Sequence, residues 1–246
     1  MNVVISEKRV LMLLAAAALY LCVQSFAAKV YEFSLPVNGS TPFIYYTVLY
    51  VNVTFEQNLP SWYSTLLLAT TAALIALIAK AHHVKQDRFR WRWTGLSVIF
   101  FYLSLDEMTA LHERFTEPLR TALNTENFLY FAWSIVGVIF VLIVAVLYWR
   151  LVWALPKRTR SLVFLAAFVY LGGALIIDAI SAFWFRDDAF TLIYHAIATV
   201  EEFCEMMGIS LFVYALLEYL RNYAGQIRFT FVPNQVAIEQ SVEQGG

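Results

Sequence analysis

Long apolar stretches separated by short polar segments dominate this chain. Six of them approach or exceed the roughly 20 residues that a helix needs to cross a bilayer, and they cover residues 10–28, 61–80, 94–115, 128–153, 161–185 and 190–221. Soluble domains are about 45–50% apolar, whereas 61% of this chain is hydrophobic and its mean hydropathy is +0.65. The pattern predicts an all-α fold: a polytopic membrane bundle of about six transmembrane helices.

The same pattern divides the chain into four regions. Residues 1–28 predict either a retained transmembrane helix or a signal peptide cut after Ala27, because a basic start precedes the first apolar run. We predict an external loop at residues 29–60, a five-helix transmembrane bundle that carries the acidic/His site at 61–221, and a cytoplasmic tail at 222–246. Inside the loop, residues 43–53 are rich in aromatic and β-branched side chains, which favours a strand pair or an interfacial surface segment. Asn38-Gly39-Ser40 and Asn52-Val53-Thr54 match the N-glycosylation triplet, which matters only in a eukaryotic source.

Lysine and arginine are unevenly distributed between the two sides of this topology. If the amino terminus lies inside, the inner segments hold 13 of the 17 basic residues, as the positive-inside rule requires. We therefore predict cytoplasmic amino and carboxyl termini in a bacterial inner (plasma) membrane. His82 and His83 then fall in a basic cytoplasmic loop, 81–93, and are not expected to bind metal. The net charge of -1 provides no basic surface for nucleic acid.

Two of the predicted helices carry acids and a histidine where charge is costly. An unpaired charge in a membrane helix costs about 2.5–3.5 kcal/mol on insertion scales, and intramembrane ionisable residues therefore indicate functional sites. Seven acids lie at membrane depth, whereas arginine occurs only at the outer rim. The acids are Asp106, Glu107, Glu113, Asp178, Glu201, Glu202 and Glu205, and the histidines are His112 and His195.

Protonation, a wet cavity or a bound cation can each stabilise such a cluster. Carboxylate and imidazole ligands suit iron, manganese or zinc. The candidate metal ligands are Asp106, His112, Glu113, Asp178, His195, Glu202 and Glu205. Helical phase places Asp106 and Glu113 on one stripe with His112 at its edge, and predicts that they meet Glu202 and Glu205 across the bundle. The Glu-x-x-His pairs of ferritin-like di-iron bundles are absent from the chain.

The first functional hypothesis is a membrane-embedded metalloenzyme that acts on a lipid or quinone. Zinc would favour hydrolysis and iron or manganese oxidation, with Glu107 or Glu201 as the catalytic general base. Glu107 is alternatively a structural partner of Arg114. A proton or divalent-cation transporter or channel and a structural or assembly subunit are the alternative functions. Glu56 and Asn58 are expected in a solvated loop, with folding over the site as the alternative. Glu218 is expected to extend its carboxylate to the interface or to pair with Arg221.

Two stretches carry a family resemblance over most of the chain from about residue 50. The pattern Leu105-Asp106-Glu107 … His112-Glu113 with Glu201-Glu202 … Glu205-Met206 … Gly208 resembles an uncharacterised family of bacterial multi-pass membrane proteins, which implies a topology but no activity. Ser104 and Asp106 are also similar to part of the site of alkaline ceramidases, which are membrane zinc hydrolases. The His-x-x-x-His pair of that family is missing near the carboxyl end.

Overall fold

The structure is a computed structural model that describes residues 6–36, 41–112, 114, 118–119, 121, 133–184 and 191–224. Its described elements are α1 Glu7–Ser34, α2 Pro42–Val51, α3 Leu59–Val84, α4 Arg90–Thr109, α5 Trp133–Ala154, α6 Lys157–Leu171, a π-helical turn Gly172–Ile177, α7 Asp178–Trp184 and α8 Leu192–Ala224. By length and composition, five described stretches can cross a membrane: Glu7–Ser34, Leu59–Val84, Ile135–Ala154, Lys157–Ser181 and Leu192–Tyr223. The all-α membrane bundle is thus confirmed. The predicted third span forms the 20-residue α4, which lies outside this set because it is more polar.

Helix α8 is the centre of the bundle. It packs against α1, α3, α6 and α7, while α4 packs along α3. Successive long helices run in opposite directions, so the chain has two ends. We call the end with the α3–α4 and α5–α6 connections the basic end, and the other the cavity end. At the basic end, Arg221 of α8 forms an ion pair with Glu7 of α1 at 2.7 Å.

Two apolar clusters fill the bundle between its ends. The middle cluster joins α1, α3 and α8 through Ala18, Cys22, Leu67, Leu68, Met206 and Ile209. The basic-end cluster joins α3, α5 and α8 through Ile75, Ile78, Leu151, Leu155, Leu216 and Leu220. Phe100 of α4 borders both clusters and contacts Phe212 of α8, with ring centroids 5.2 Å apart. The two clusters make this part of the bundle interior continuously apolar.

The strand pair predicted at 43–53 is wrong, because α2 covers most of this stretch; its alternative, an interfacial surface segment, stays a prediction. Thr41 caps the helix by accepting a hydrogen bond from Ile44 N–H, and Pro42 stands in the first turn, where proline is tolerated. Val48 is buried, and α2 packs against α1. Helical hydrogen bonds satisfy the backbone locally, which an apolar setting requires, and this outweighs the β propensity of the side chains.

The segment between α2 and α3 is anchored rather than solvated. Asn52 accepts hydrogen bonds from Thr54 and Ser25, and Ser25 Oγ accepts one from Val53 N–H at 2.9 Å. Asn58 caps α3 and donates to the Asn52 carbonyl at 2.6 Å. Because Asn52 is only 1% exposed, its triplet is not accessible for glycosylation in this fold. The other triplet, at 38–40, lies outside the described residues.

Two expectations at the basic end also change. His82 belongs to the last turn of α3 and is buried, with its Nε2 3.0 Å from the Tyr219 hydroxyl. Glu218 accepts hydrogen bonds from Thr159 of α6 and Asn222 of α8 rather than pairing with Arg221, because Arg221 turns toward Glu7 of α1. These contacts fix α3 and α6 to α8.

Candidate functional site

A cavity of about 200 Å³ lies at the cavity end, surrounded by α3, α4, α8, the α6–α7 segment and the loop before α3. Seven of the described residues that line it are acids, one is a histidine, and none is a lysine or arginine. The ionisable residues are Glu56, Asp106, Glu107, His112, Asp178, Glu201, Glu202 and Glu205. Tyr170, Ser181 and Tyr194 add hydroxyl groups. The cavity is therefore an oxygen-rich, acidic site.

The end of α4 turns His112 back onto Asp106. The helix was expected to continue to residue 115, but it ends at Thr109, and Ala110 adopts the left-handed conformation with φ 52° and ψ 41°. Ala110 N–H donates to the Asp106 carbonyl, as does Leu111 N–H at 3.4 Å. In a continuous helix, positions six apart would lie on different faces. The turn instead brings His112 Nδ1 to 2.9 Å from Asp106 Oδ2.

Glu56 approaches the same imidazole from the α2–α3 loop. Its Oε1 lies 3.3 Å from His112 Nε2, so the ring bridges two acids from separate segments. Burial lowers the pKa of His112, but the hydrogen bond to Asp106 and the charges of Glu56, Asp106 and Glu107 raise it more, to about 9. His112 is therefore a cation at neutral pH. The sequence left this position of Glu56 as an alternative to a solvated loop, because nothing local reveals that the Asn52 and Asn58 hydrogen bonds fold the loop inward.

Close backbone contact between α6 and α8 positions the acids of α8. A Cβ at Gly208 would lie 2.6–2.8 Å from the backbone and Cβ of Tyr170, so only glycine permits this approach. Tyr170 lines the cavity together with Glu205 and lies within its electrostatic reach. Glu202 and Glu205 in turn lie within electrostatic reach of each other and of Glu107 on α4. The carboxylates of α4 and α8 thus face one another across the cavity.

The π-helical turn sets the direction of the next two polar side chains. Asp178 N–H donates to the Gly173 carbonyl, five residues back. A π turn inserts one residue into the helical repeat, which rotates everything beyond it. Ser181 consequently donates to Glu201 Oε2 at 3.1 Å, and Asp178 lies within electrostatic reach of Glu201. Beside this turn Gly173 lies against α8, where its Cβ position is 2.9 Å from the Glu201 carbonyl, whereas Gly172 has no neighbouring atom within 4 Å of its Cβ position.

The structure brings together most, but not all, of the predicted site residues. Asp106, Glu107, His112, Asp178, Glu201, Glu202 and Glu205 line the cavity. His195 is not among the lining residues: it is buried beside Phe33 and Tyr194, whose ring centroids lie 6.1 and 5.4 Å away. Its angular position on α8 predicted that His195 lies near the acids. In the structure its ring instead lies beside Phe33 of α1. Glu113 lies outside the described residues.

The donor set can be compared with the needs of a metal ion. Hard carboxylate oxygens with one imidazole suit iron, manganese or zinc. Within the described ranges, no group of three or more His, Cys, Asp or Glu side chains stands in metal-holding geometry. The donor atoms are thus of the kinds that these metals bind, but the described side chains are not arranged around a metal position.

Comparisons with known proteins place the chain in a family without assigning an activity. No curated protein and no solved structure matches it. A family model matches residues 10–219, which include every lining residue of the cavity. The chain belongs to the family described as Domain of unknown function (DUF8692).

Proposed function

We propose that this protein is a metal-dependent enzyme of the membrane that acts on a lipid or quinone at the acidic cavity. The observation that carries the proposal is the convergence of seven carboxylates and His112 on one cavity whose described lining has no lysine or arginine. Such a charge excess calls for a cation, because neighbouring carboxylates repel one another at low dielectric. We further propose a bacterial inner membrane with the basic end in the cytoplasm, following the distribution of lysine and arginine.

A bound metal is best accommodated by the acids that are not already paired with His112. Glu202 and Glu205 lie one turn apart on α8 and face Glu107 of α4, so their oxygens are the principal proposed ligands. Asp178 completes the proposed set from the α7 side of the cavity, while Asp106 stays paired with the protonated His112. Iron, manganese or zinc would supply either Lewis acidity or redox chemistry here.

Two groups of the chain are placed for proton transfer. Glu201 accepts a hydrogen bond from Ser181 and contacts Asp178, so its carboxylate is oriented to take a proton from a bound substrate or water. Glu107, on the opposite wall, is the alternative base. His112, protonated at neutral pH and bridging Asp106 and Glu56, can return a proton at its imidazole nitrogens.

A substrate dissolved in the bilayer is supported by the helix arrangement around the cavity. Helix α4 packs on α3 and the π turn packs on α8, but α4 and the π turn make no extensive contact with each other. Exposed apolar residues flank the space between α4 and the π turn: Leu105 and Met108 on α4, Ile176 in the π turn and Ile180 on α7. A lipid or quinone can approach the acidic cavity here without crossing water.

The test is metal analysis of protein purified without chelators. We expect stoichiometric iron, manganese or zinc in the parent, and at least a tenfold lower metal affinity in Glu202→Gln and Glu205→Gln, since even outer-shell replacements cost about 10–100-fold. Glu218→Gln is the matched control: it changes a buried acid of the same helix, and glutamine can accept from Asn222 at its oxygen and donate from its NH2 to the Thr159 hydroxyl. It should retain the metal.

Two outcomes would contradict the proposal. A parent that stays metal-free when iron, manganese and zinc are supplied would end the enzyme hypothesis and favour proton movement through the acids. Equal metal loss in Glu218→Gln would indicate a general effect of disturbing α8. If metal binds, turnover of quinones and of phospholipid mixtures by the loaded protein, compared with Glu201→Gln, then separates catalysis from cation transport.

A further inference from the structure

A second pocket lies at the opposite end of the bundle, between the start of α4 and the end of α5. Its volume is about 730 Å³, within the range of small-molecule pockets. Three arginines, three aromatic residues and one alanine line it: Arg88, Arg92, Arg150, Phe89, Trp149, Trp153 and Ala154. No acid contributes to the described lining. This pocket is chemically the reverse of the acidic cavity.

The arginines of this pocket are held in place without being neutralised. Arg88 and Arg92 lie over the ring of Phe89, with their guanidinium carbons 4.6 and 5.5 Å from its centroid. Within the described residues, no carboxylate forms an ion pair with Arg88, Arg92 or Arg150. The nearby Asp87 is engaged instead by Phe89 N–H at 2.7 Å and by His82 at 3.2 Å. Three guanidinium groups without a carboxylate ion pair among the described residues therefore line one space.

The pocket combines a charged floor with membrane-facing walls. Trp149 and Trp153 pack edge to face at 5.1 Å and are half-exposed, as tryptophans at the headgroup level of a bilayer are. Toward the bundle middle, Val98 on α4 and Val146 on α5 are exposed apolar residues. A matching ligand therefore has an anionic phosphate that binds the arginines and a hydrocarbon part that packs against the exposed apolar residues of α4 and α5.

We propose that this pocket binds the headgroup phosphate of an anionic phospholipid, such as phosphatidylglycerol, with its acyl chains along α4 and α5. Planar guanidinium groups bind phosphate oxygens in pairs, and basic pockets on the cytoplasmic side of membrane proteins bind anionic headgroups. The proposal is independent of any activity at the acidic cavity.

The experiment measures phosphatidylglycerol retained by the full-length protein. Protein is reconstituted into nanodiscs of phosphatidylcholine with phosphatidylglycerol, extracted, and weighed by native mass spectrometry. The parent should retain one phosphatidylglycerol in preference to phosphatidylcholine. Arg88→Gln with Arg150→Gln should lower the apparent affinity by about 30-fold. Lys80→Gln with Lys157→Gln removes the same charge from the same end but outside the pocket, and it should retain the lipid.

Three results would overturn the proposal. Equal loss in the two double variants would mean that diffuse surface charge, not this pocket, attracts the lipid. Equal retention of phosphatidylcholine by the parent would mean that the site does not recognise an anionic headgroup. Displacement of the lipid by inorganic phosphate at equal concentration would identify a soluble phosphate site instead.

Discussion

At the scale of single residues, Gly208 determines how close two of the main helices come. Its missing side chain allows the backbone of Tyr170 on α6 to touch α8. The contact also fixes the position of Tyr170 along α8, and with it the side chain that lies near Glu205 in the cavity wall. A residue without functional groups thus positions one wall of the cavity.

We expect Gly208→Ala to destabilise the protein by about 1–3 kcal/mol, the usual cost of overpacking. The new Cβ would stand 2.6–2.8 Å from backbone atoms that cannot rotate away. Gly172→Ala is the control, because nothing lies within 4 Å of its Cβ position. Thermal unfolding of both variants in the same detergent measures the effect. Equal unfolding midpoints for Gly208→Ala and the parent would show that the helices separate at no cost.

His112 makes the stability of the cavity rim depend on pH. Its pKa of about 9 lies above the ordinary 6.5, so the protonated bridge contributes its full stability below pH 6.5, and that stability is lost as pH rises through 9. We expect the unfolding midpoint of the parent to fall over this window. Asp106→Asn should flatten the profile, because the pKa of His112 then moves back toward its ordinary value. A parent profile with no fall between pH 6.5 and 9 would contradict the bridge.

At the scale of elements, the π-helical turn aims Asp178 and Ser181 at α8. Deleting Ala174 should convert this turn to α-helix and rotate both residues by about 100°. A thiol pair introduced by Ser181→Cys and Glu201→Cys reports the change. A short bifunctional thiol reagent should join the pair readily in the parent background but poorly in the deletion variant. Equal cross-linking would mean that the turn does not control the direction of α7.

The long helices could be predicted from the sequence because their apolar length alone specifies them. The acids could also be predicted as a cluster, since intramembrane charge is informative wherever it occurs. The left-handed conformation of Ala110 could not be predicted, because the position carries neither glycine nor asparagine. The contact between Asp106 and His112 depends on that turn, so it could not be predicted either. Glu56 was expected in a solvated loop for a related reason: its position depends on the hydrogen bond that Asn52 accepts from Ser25 of α1 and on those that Asn58 donates to the Leu49 and Asn52 carbonyls.

At the scale of the whole molecule, the two ends of the bundle should lie on opposite sides of the membrane. Gln57, before α3, and Gln86, after it, are exposed turn residues with positive φ. A membrane-impermeant maleimide should label Gln57→Cys from the periplasmic side and Gln86→Cys only after the membrane is opened. The parent, whose Cys22 and Cys204 lie within helices, gives the background. Labelling of both variants from the same side would refute the topology.

The apolar clusters beneath the cavity also have an electrical consequence. Glu205 and Glu218 are 13 residues apart on α8, or about 20 Å, and the buried Met206, Ile209, Val213 and Leu216 fill much of the interval. Most of the membrane voltage should fall across this interval, because it contains no charged group on α8. A cation that reaches the acids from the cavity end therefore crosses little of the field.

Carrying one elementary charge through the whole field is worth about 2.3 kcal/mol per 100 mV, so a divalent ion driven through the bundle would respond steeply to voltage. We expect metal uptake by the cavity in proteoliposomes to be unchanged by an imposed potassium diffusion potential. A strong voltage dependence would instead mean that ions pass through the apolar clusters. On this expectation the two apolar clusters leave the acidic cavity in electrical contact with only the compartment at the cavity end.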